Sequence, residues 1–337
     1  MSVGDAGDGP AAGVPLLSVR GLGKTFTVGQ RGSKRTLAAV RDVTFDVHAG
    51  EAVALVGESG SGKSTTARLI ARLQPPSAGE IWFQGQDILR AEPRHPSLAY
   101  RSRVQMIFQD PYASLNPFHT IAYHLARPLR RHGKARTRAE LDAQVSRLLE
   151  TVGLTPAADF ARKRPHQASG GQRQRVALAR ALAADPDLIL ADEPTSMLDV
   201  SIRIDLLNLL RALTDRRRMG LLFITHDLGA ARYVADRILV MYAGLIVESG
   251  PSETLLDAPR HPYTQLLVAA VPTPDAPLAP GTGDAAAGVS ARRATRGTGC
   301  PFADRCPSVM DRCATELPAA REVGREHLVR CHLYPAT

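Results

Sequence analysis

The chain has 337 residues, 44% hydrophobic and 22% charged, with 42 Lys and Arg against 33 Asp and Glu for a formal net charge of +9. That balance reads as a globular protein with room for one large domain plus an appendage. No apolar run approaches the roughly 18 residues of a membrane-spanning helix, which excludes an integral membrane chain.

In chain order, "MSVGDAGDGPAAGVP" comes first, small, polar and Gly/Pro-rich. Residues 1–14 are expected to be disordered. They have neither the basic start nor the apolar core of a signal peptide, so a cytosolic chain is expected. "AVALVG" (52–57) reads as a buried strand, "KSTTARLIARL" (63–73) as a helix and "RVQMIF" (103–108) as a second strand. Residues 118–152 are predicted mostly helical, and "GGQRQRVALARALAADP" as a helix running to Pro186. "DLILADEP" is a strand, "SIRIDLLNLLRALTDRRR" an amphipathic helix and "LLFITH" a strand. "RILVMYAGLIVESG" predicts a hairpin turning at Ala243–Gly244. Strands alternating with helices imply an α/β fold with a parallel sheet core. A Pro/Ala/Gly-rich linker is expected over 273–298, followed by a tail holding all four cysteines. The Arg-rich runs at 127–138, 162–164 and 216–218 have no aromatics interleaved, so they read first as solvated faces, with attraction to polyanions such as nucleotides, nucleic acid or an anionic membrane surface as the alternative; no nucleic-acid partner is expected.

"GESGSGKST" (57–65) fits G-x-x-x-x-G-K-[ST] between a predicted strand and a predicted helix, the context a phosphate loop requires. Gly57, Gly60 and Gly62, with Glu58, Ser59 and Ser61 between them, let the backbone turn its N–H groups inward onto phosphate oxygens. Lys63 supplies a point charge for the β- and γ-phosphates, Ser64 a hydroxyl for Mg²⁺, and Thr65 a further hydrogen bond. Downstream, "LILADEPT" (188–195) delivers Asp192 to a strand end, where a carboxylate can hold Mg²⁺. Glu193 follows on the opposite side of the strand's alternation and can orient or deprotonate a water.

Between those elements lies "ASGGQRQR" (168–175), and with it the chain resembles the ATP-binding subunits of ABC transporters over roughly residues 15–272. Gln109 in "FQDP" matches the Q-loop, "SMLD" (196–199) the D-loop and His226 in "ITHD" the switch histidine. The resemblance implies a P-loop NTPase fold with a parallel sheet core, an antiparallel β subdomain and a helical subdomain at about 110–182. It implies ATP hydrolysis with Mg²⁺ held through Ser64, Gln109 and Asp192, Glu193 as general base, and His226 on the γ-phosphate. Phe26 would stack on adenine. Ser169, Gly170, Gly171 and Gln172 would cap the ATP of a second ATPase subunit, with Ser196 and Asp199 in the D-loop. Ala168 and Met197 depart from the Leu/Phe and Ala usual at those places. "QDPYASLNP", "LDVSIRIDLLNLL", "HPYTQLLVAAVPTPD" and "CPFADRC" resemble the oligopeptide/dipeptide importers, in the form of the second of their paired ATPases. The partners this implies are a sister ATPase in a heterodimer, two membrane permeases and, indirectly, an extracytoplasmic substrate-binding protein, at the cytoplasmic face of the membrane. Alternatives are an importer ATPase for nickel, glutathione, opines or sugars, or an ABC ATPase acting on ribosomes or DNA.

The tail (299–337) spaces Cys300, Cys306, Cys313 and Cys331 as C-x5-C-x6-C-x17-C. Disulfides are disfavoured in the cytosol, and four thiols this close in sequence invite a metal centre. Zinc sites favour a tight C-x2–4-C pair, which is absent; iron–sulfur clusters tolerate wider spacing. The matching tail of the importer group implies a 4Fe–4S cluster; Zn²⁺, free thiols or a disulfide remain alternatives. The linker predicts a tail that can be perturbed without touching ATP binding.

Overall fold

The computed structural model describes residues 13–28, 35–110, 114–271 and 298–334. Most of the expected disordered start and of the expected linker lies outside these residues. The chain divides into two compact units. One is drawn from residues up to Gly23, Asp42–Ala52 and Ala67–Phe223; the other from Lys24–Arg41, Val53–Thr66 and Ile224 onward. Strands β1 (Leu17–Val28) and β2 (Arg35–Val47) contribute residues to both. β3 is Ala52–Val56.

In the first unit, β1 pairs antiparallel with β4 (Ala78–Phe83), Leu17 opposite Phe83, and β4 pairs with β5 (Gln86–Asp87). This is the expected antiparallel β subdomain. β6 (Val104–Ile107) and β7 (Leu188–Asp192) run parallel, Val104 opposite Leu188, and β8 (Gly220–Thr225) flanks β7. Leu188, Ile189, Leu190 and Ala191 are fully buried. A strand covered on both faces has no solvated side, which is why "LILA" shows no alternation. The helical stretch expected over 118–152 is two helices, Ile121–Arg131 and Arg138–Thr151. Gly133 at φ +66° breaks them apart, and Thr137 with Glu140 restarts the second through a reciprocal capping box. The helix expected to reach Pro186 spans Gly170–Leu182 instead, and Asp185 takes a left-handed φ of 58° before the proline. The residue before a proline is pushed out of the helical region, so the stop comes earlier than the proline itself.

In the second unit, β3 lies parallel to β9 (Arg237–Tyr242), and β9 turns back into β10 (Leu245–Pro251). Ala243 and Gly244 both have positive φ, 45° and 87°, as a tight two-residue hairpin demands. The cysteine-bearing extension does not hang apart. Its strand β12 (His327–Val329) pairs antiparallel with β10, Glu248 opposite Val329, and β11 (Arg321–Gly324) pairs with β12. An open edge of β10 would leave a row of unpaired N–H and C=O groups; the extension supplies their partners. Among the described residues no helix is long and apolar enough to cross a membrane.

Candidate active site

The phosphate loop belongs to the second unit and is shaped by exclusion as much as by bonding. Gly57 and Gly62 sit at φ +148° and +111°, and a Cβ there would lie 2.1 Å from the Met241 carbonyl oxygen and 2.4 Å from that of Ala39. Gly60, at φ +81°, faces open space, so it is required by backbone conformation alone. The Gly244 N–H donates to the Ser61 carbonyl at 2.8 Å, which ties the loop to the hairpin turn. Lys63 is buried, and its Nζ donates to the carbonyls of Gly57 at 2.6 Å and Glu58 at 2.8 Å. The Ser61 hydroxyl is buried with no hydrogen-bond partner among the described residues. A cationic ammonium, an unsatisfied hydroxyl and a glycine-lined loop at the start of the Lys63–Ile70 helix are what a phosphate chain requires. Ser64 and Thr65 lie half-buried in the first turn of that helix. The half-buried Phe26 ring has the Lys24 ammonium 5.2 Å from its centroid, a cation–π contact on the expected adenine platform. His226, exposed, follows β8 directly, and Asp227 caps the next helix, accepting from Ala230 N–H at 3.0 Å.

The acid pair, Gln109 and the signature belong to the first unit. Asp192 ends β7, 2% exposed. Glu193 takes a left-handed φ of 45°, uncommon for a residue with a side chain and characteristic of functional sites. Gln109 Nε2 donates to Glu193 Oε2 at 3.0 Å, so the structure brings those two residues together. The Ser196 hydroxyl and N–H both donate to the Glu193 carbonyl, at 3.1 and 3.3 Å, which fixes the turn leaving the acid. Asp199 starts the Val200–Arg217 helix without a side-chain capping bond. Ser169 and Gln172 form a capping box: Ser169 Oγ accepts from Gln172 N–H at 3.3 Å, and Gln172 Oε1 accepts from Ser169 N–H at 3.0 Å. A Cβ on Gly171 would lie 2.5 Å from Ile202 Cγ2, so this glycine also permits close helix approach. Ala168 is buried and Met197 is 57% exposed. A groove of about 510 Å³ in the same unit is lined by Arg101, Met106, Phe108, His124, Arg127 and Arg131. Phe118, in the same unit, is 81% exposed.

In the extension all four cysteines are free thiols, Cys313 and Cys331 buried and the other two half-buried. Burial, the largest cause, pushes the Cys300 thiol up to about 11, and the other three cysteines act in the same direction. Among the described residues no three His, Cys, Asp or Glu side chains are arranged to hold a metal ion.

The sequence reading missed three features of the second unit. Tyr263 Oη accepts the Glu58 N–H at 2.9 Å. Arg305 binds the Glu58 carboxylate through two nitrogens, at 2.9 and 3.0 Å. Glu248 is a buried hub that accepts from Arg260 N–H (2.7 Å), His261 N–H (2.9 Å) and His327 Nε2 (2.7 Å), joining β10, the Pro262–Ala269 helix start and the extension. "HPYT" and "CPFADRC" were visible as motifs, but no local pattern reveals partners 79 to 247 residues away.

The chain matches two family descriptions: "ABC transporter" over residues 40–196 and "Oligopeptide/dipeptide transporter, C-terminal region" over 247–313. It is 45% identical over 317 residues, 94% of this chain and 97% of the relative, to a putative peptide import ATP-binding protein of Brucella ovis. It is 48% identical over 260 residues, 77% of this chain and 83% of the relative, to the oligopeptide transport ATP-binding protein OppF of Bacillus subtilis. Among solved structures, the dimeric post-hydrolysis state of the ATP-binding cassette MJ0796, bound to ADP and phosphate, aligns with a TM-score of 0.62 and 29% identity. That alignment covers 70% of this chain and 98% of the other.

Proposed function

The chain belongs to the ABC transporter ATPases, in the branch that carries an oligopeptide/dipeptide transporter C-terminal region, and on that premise we propose that it hydrolyses ATP to power peptide import through separate membrane permeases. The observation that carries the chemistry is the phosphate loop, with Lys63 held by loop carbonyls beside the unpartnered Ser61 hydroxyl. In this reading, residues 15–272 form the ATPase and 299–337 its extension.

The Glu58 and Ser61 N–H groups are engaged within the protein, so the loop donors left for the β- and γ-phosphates are the N–H groups of Gly57, Ser59, Gly60 and Gly62, with Lys63 and Thr65 beside them. Ser64, Asp192 and Gln109 would hold Mg²⁺, which when bound would neutralise charge on the transferred phosphoryl group. Glu193 accepts the proton of the attacking water as the water oxygen bonds to the γ-phosphorus and the bond to the ADP oxygen breaks. Gln109, hydrogen-bonded to Glu193, reports γ-phosphate loss to the groove beside it. His226 contacts the γ-phosphate and Phe26 stacks on adenine. Ser169, Gly170, Gly171 and Gln172 serve the ATP of a sister ATPase in a head-to-tail pair, with Ser196 and Asp199 lining the same interface. The groove, apolar at Met106 and Phe108 and rimmed by arginines, suits a permease loop at the cytoplasmic face of the membrane. Beyond the permeases, a substrate-binding protein delivers the peptide.

The four cysteines are assigned to a 4Fe–4S cluster, which when bound would cross-link an extension poor in apolar residues. What supports this reading is the resemblance of the tail to that of the importer group and its C-x5-C-x6-C-x17-C spacing, which lacks the tight pair that zinc favours.

Glu193→Gln tests the central step. ATP affinity is expected to hold while turnover with the sister ATPase and permeases falls about a hundredfold or more. Turnover at the wild-type rate would remove Glu193 from the role of base.

A further inference from the structure

From the contacts at Glu58 we infer that the cysteine-bearing extension is part of the nucleotide site: Arg305 and Tyr263 are positioning residues that set the phosphate loop through Glu58. The inference rests on the reading that this loop binds ATP.

Glu58 is fixed at three points. Its N–H donates to Tyr263 Oη at 2.9 Å. Its carboxylate takes the two-nitrogen grip of Arg305. Its carbonyl accepts from Lys63 Nζ at 2.8 Å and from Ser61 N–H at 3.2 Å. Rotation of the peptide units at Glu58 would therefore move an acceptor that holds the phosphate-binding ammonium. The residue is not a phosphate ligand in its own right; it transmits the position of the extension to Lys63.

Arg305 is well placed for that work. Phe302 is 1% exposed and packs against Tyr242 (5.3 Å between centroids), Tyr263 (5.4 Å) and His261 (5.8 Å). That plug fixes the turn Ala303–Arg305, closed by Arg305 N–H on the Phe302 carbonyl at 3.0 Å. The Arg305 guanidinium then lies 5.7 Å from the Tyr242 ring centroid and 5.6 Å from that of Phe302. An exposed single ion pair contributes little, because two long side chains must be ordered to form it. Here the aromatic surroundings order the guanidinium, and the planar fork matches both carboxylate oxygens. Arg305 also lies between Cys300 and Cys306 and directly precedes the latter, so whatever holds the cysteines together holds this arginine on the loop.

The test is ATP binding to the purified full-length chain, followed by a fluorescent ATP analogue, with kcat and KM measured in the assembled transporter. Arg305→Ala is expected to weaken ATP binding about three- to tenfold and raise KM more than it lowers kcat. Arg305→Lys should restore part of the loss, and Glu58→Gln should reproduce it from the loop side. The double variant Glu58→Gln/Arg305→Ala should be no worse than either alone, since both remove one interaction. Tyr263→Phe should weaken binding separately, by removing only the acceptor for the Glu58 N–H. Wild-type affinity in both Arg305→Ala and Glu58→Gln would overturn the inference. Lys63→Ala separates the premise: if it too binds ATP like wild type, the reading of the loop fails; if it alone loses binding, only the role of the extension fails. Should Arg305→Ala not fold, Glu58→Gln decides, because its half-exposed side chain can change without unpacking the aromatic plug.

Discussion

The phosphate loop and the cysteine-bearing extension touch one another, yet they are held in shape by opposite means. The loop is specified by what its backbone cannot tolerate: Gly57 and Gly62 stand where a single methyl group would strike a carbonyl oxygen. Its central cation is held by bonds short in sequence, Lys63 reaching back only to residues 57 and 58. The extension is specified by what it buries. Phe302 fills an aromatic box, His327 meets the carboxylate of Glu248, and β12 completes the edge of β10. The difference teaches that one element has its residue types coded locally, even though Tyr263 and Arg305 also hold it from a distance, whereas the other gains its shape from the surface it covers.

Two substitutions should separate these modes. The largest effect is expected from Gly57→Ala. A Cβ 2.1 Å from the Met241 oxygen, at φ +148°, forces the loop backbone to move. ATP affinity should drop on the order of a hundredfold, a value near 3 kcal/mol, while hydrogen exchange over residues 298–334 stays as in the wild type. Phe302→Ala should show the reverse pattern. Removing a fully buried ring costs about 3–5 kcal/mol, and that loss should appear as faster exchange across the extension. ATP binding should fall only as far as loosening of Arg305 carries it. An extension that stays protected in Phe302→Ala would mean that β12 pairing, not the aromatic plug, fixes it.

This contrast also explains what could be read before the fold was known. The phosphate loop, the acid pair and the signature are legible because phosphate chemistry demands particular residue types at short spacing. The hairpin at Ala243–Gly244 was legible because its turn needs two positive φ values. The left-handed φ of Glu193 and its bond from Gln109 were not, since the two residues lie 84 positions apart. Nor was the role of the extension. A Pro/Ala/Gly-rich run between two segments reads as a separator, but sequence distance says nothing of where the chain returns, and Arg305 returns to a residue 247 positions earlier. The helix expected to reach Pro186 ended early for a local reason that the proline already implied.

The smallest of these effects at neutral pH, and the one that sharpens the comparison most, concerns His261. This residue sits at the seam between the two regions, 1% exposed, its ring 5.8 Å from Phe302 and its backbone N–H on Glu248. Its Nδ1 accepts the Tyr263 N–H at 3.0 Å, capping the helix that presents Tyr263 to the loop. Burial lowers its pKa from 6.5 to about 4. The neutral form is therefore favoured in the folded chain, and the unfolded chain takes up the proton first as pH falls. Stability from this group is fully present above about pH 6.5, declines as pH falls below that value, and is lost once pH passes through about 4. At that limit the loss amounts to about 3 kcal/mol. Protonation at Nδ1 would also set a donor against the Tyr263 N–H, so acid should release the cap and with it Tyr263. Thermal melts from pH 7 to 4 should show a decline that His261→Asn flattens, because an Asn oxygen can keep the cap without titrating. An unchanged slope in that variant would assign the acid sensitivity to other groups. Exchange at residues 262–269 rising with the same pH midpoint would tie the titration to the seam rather than to the chain as a whole.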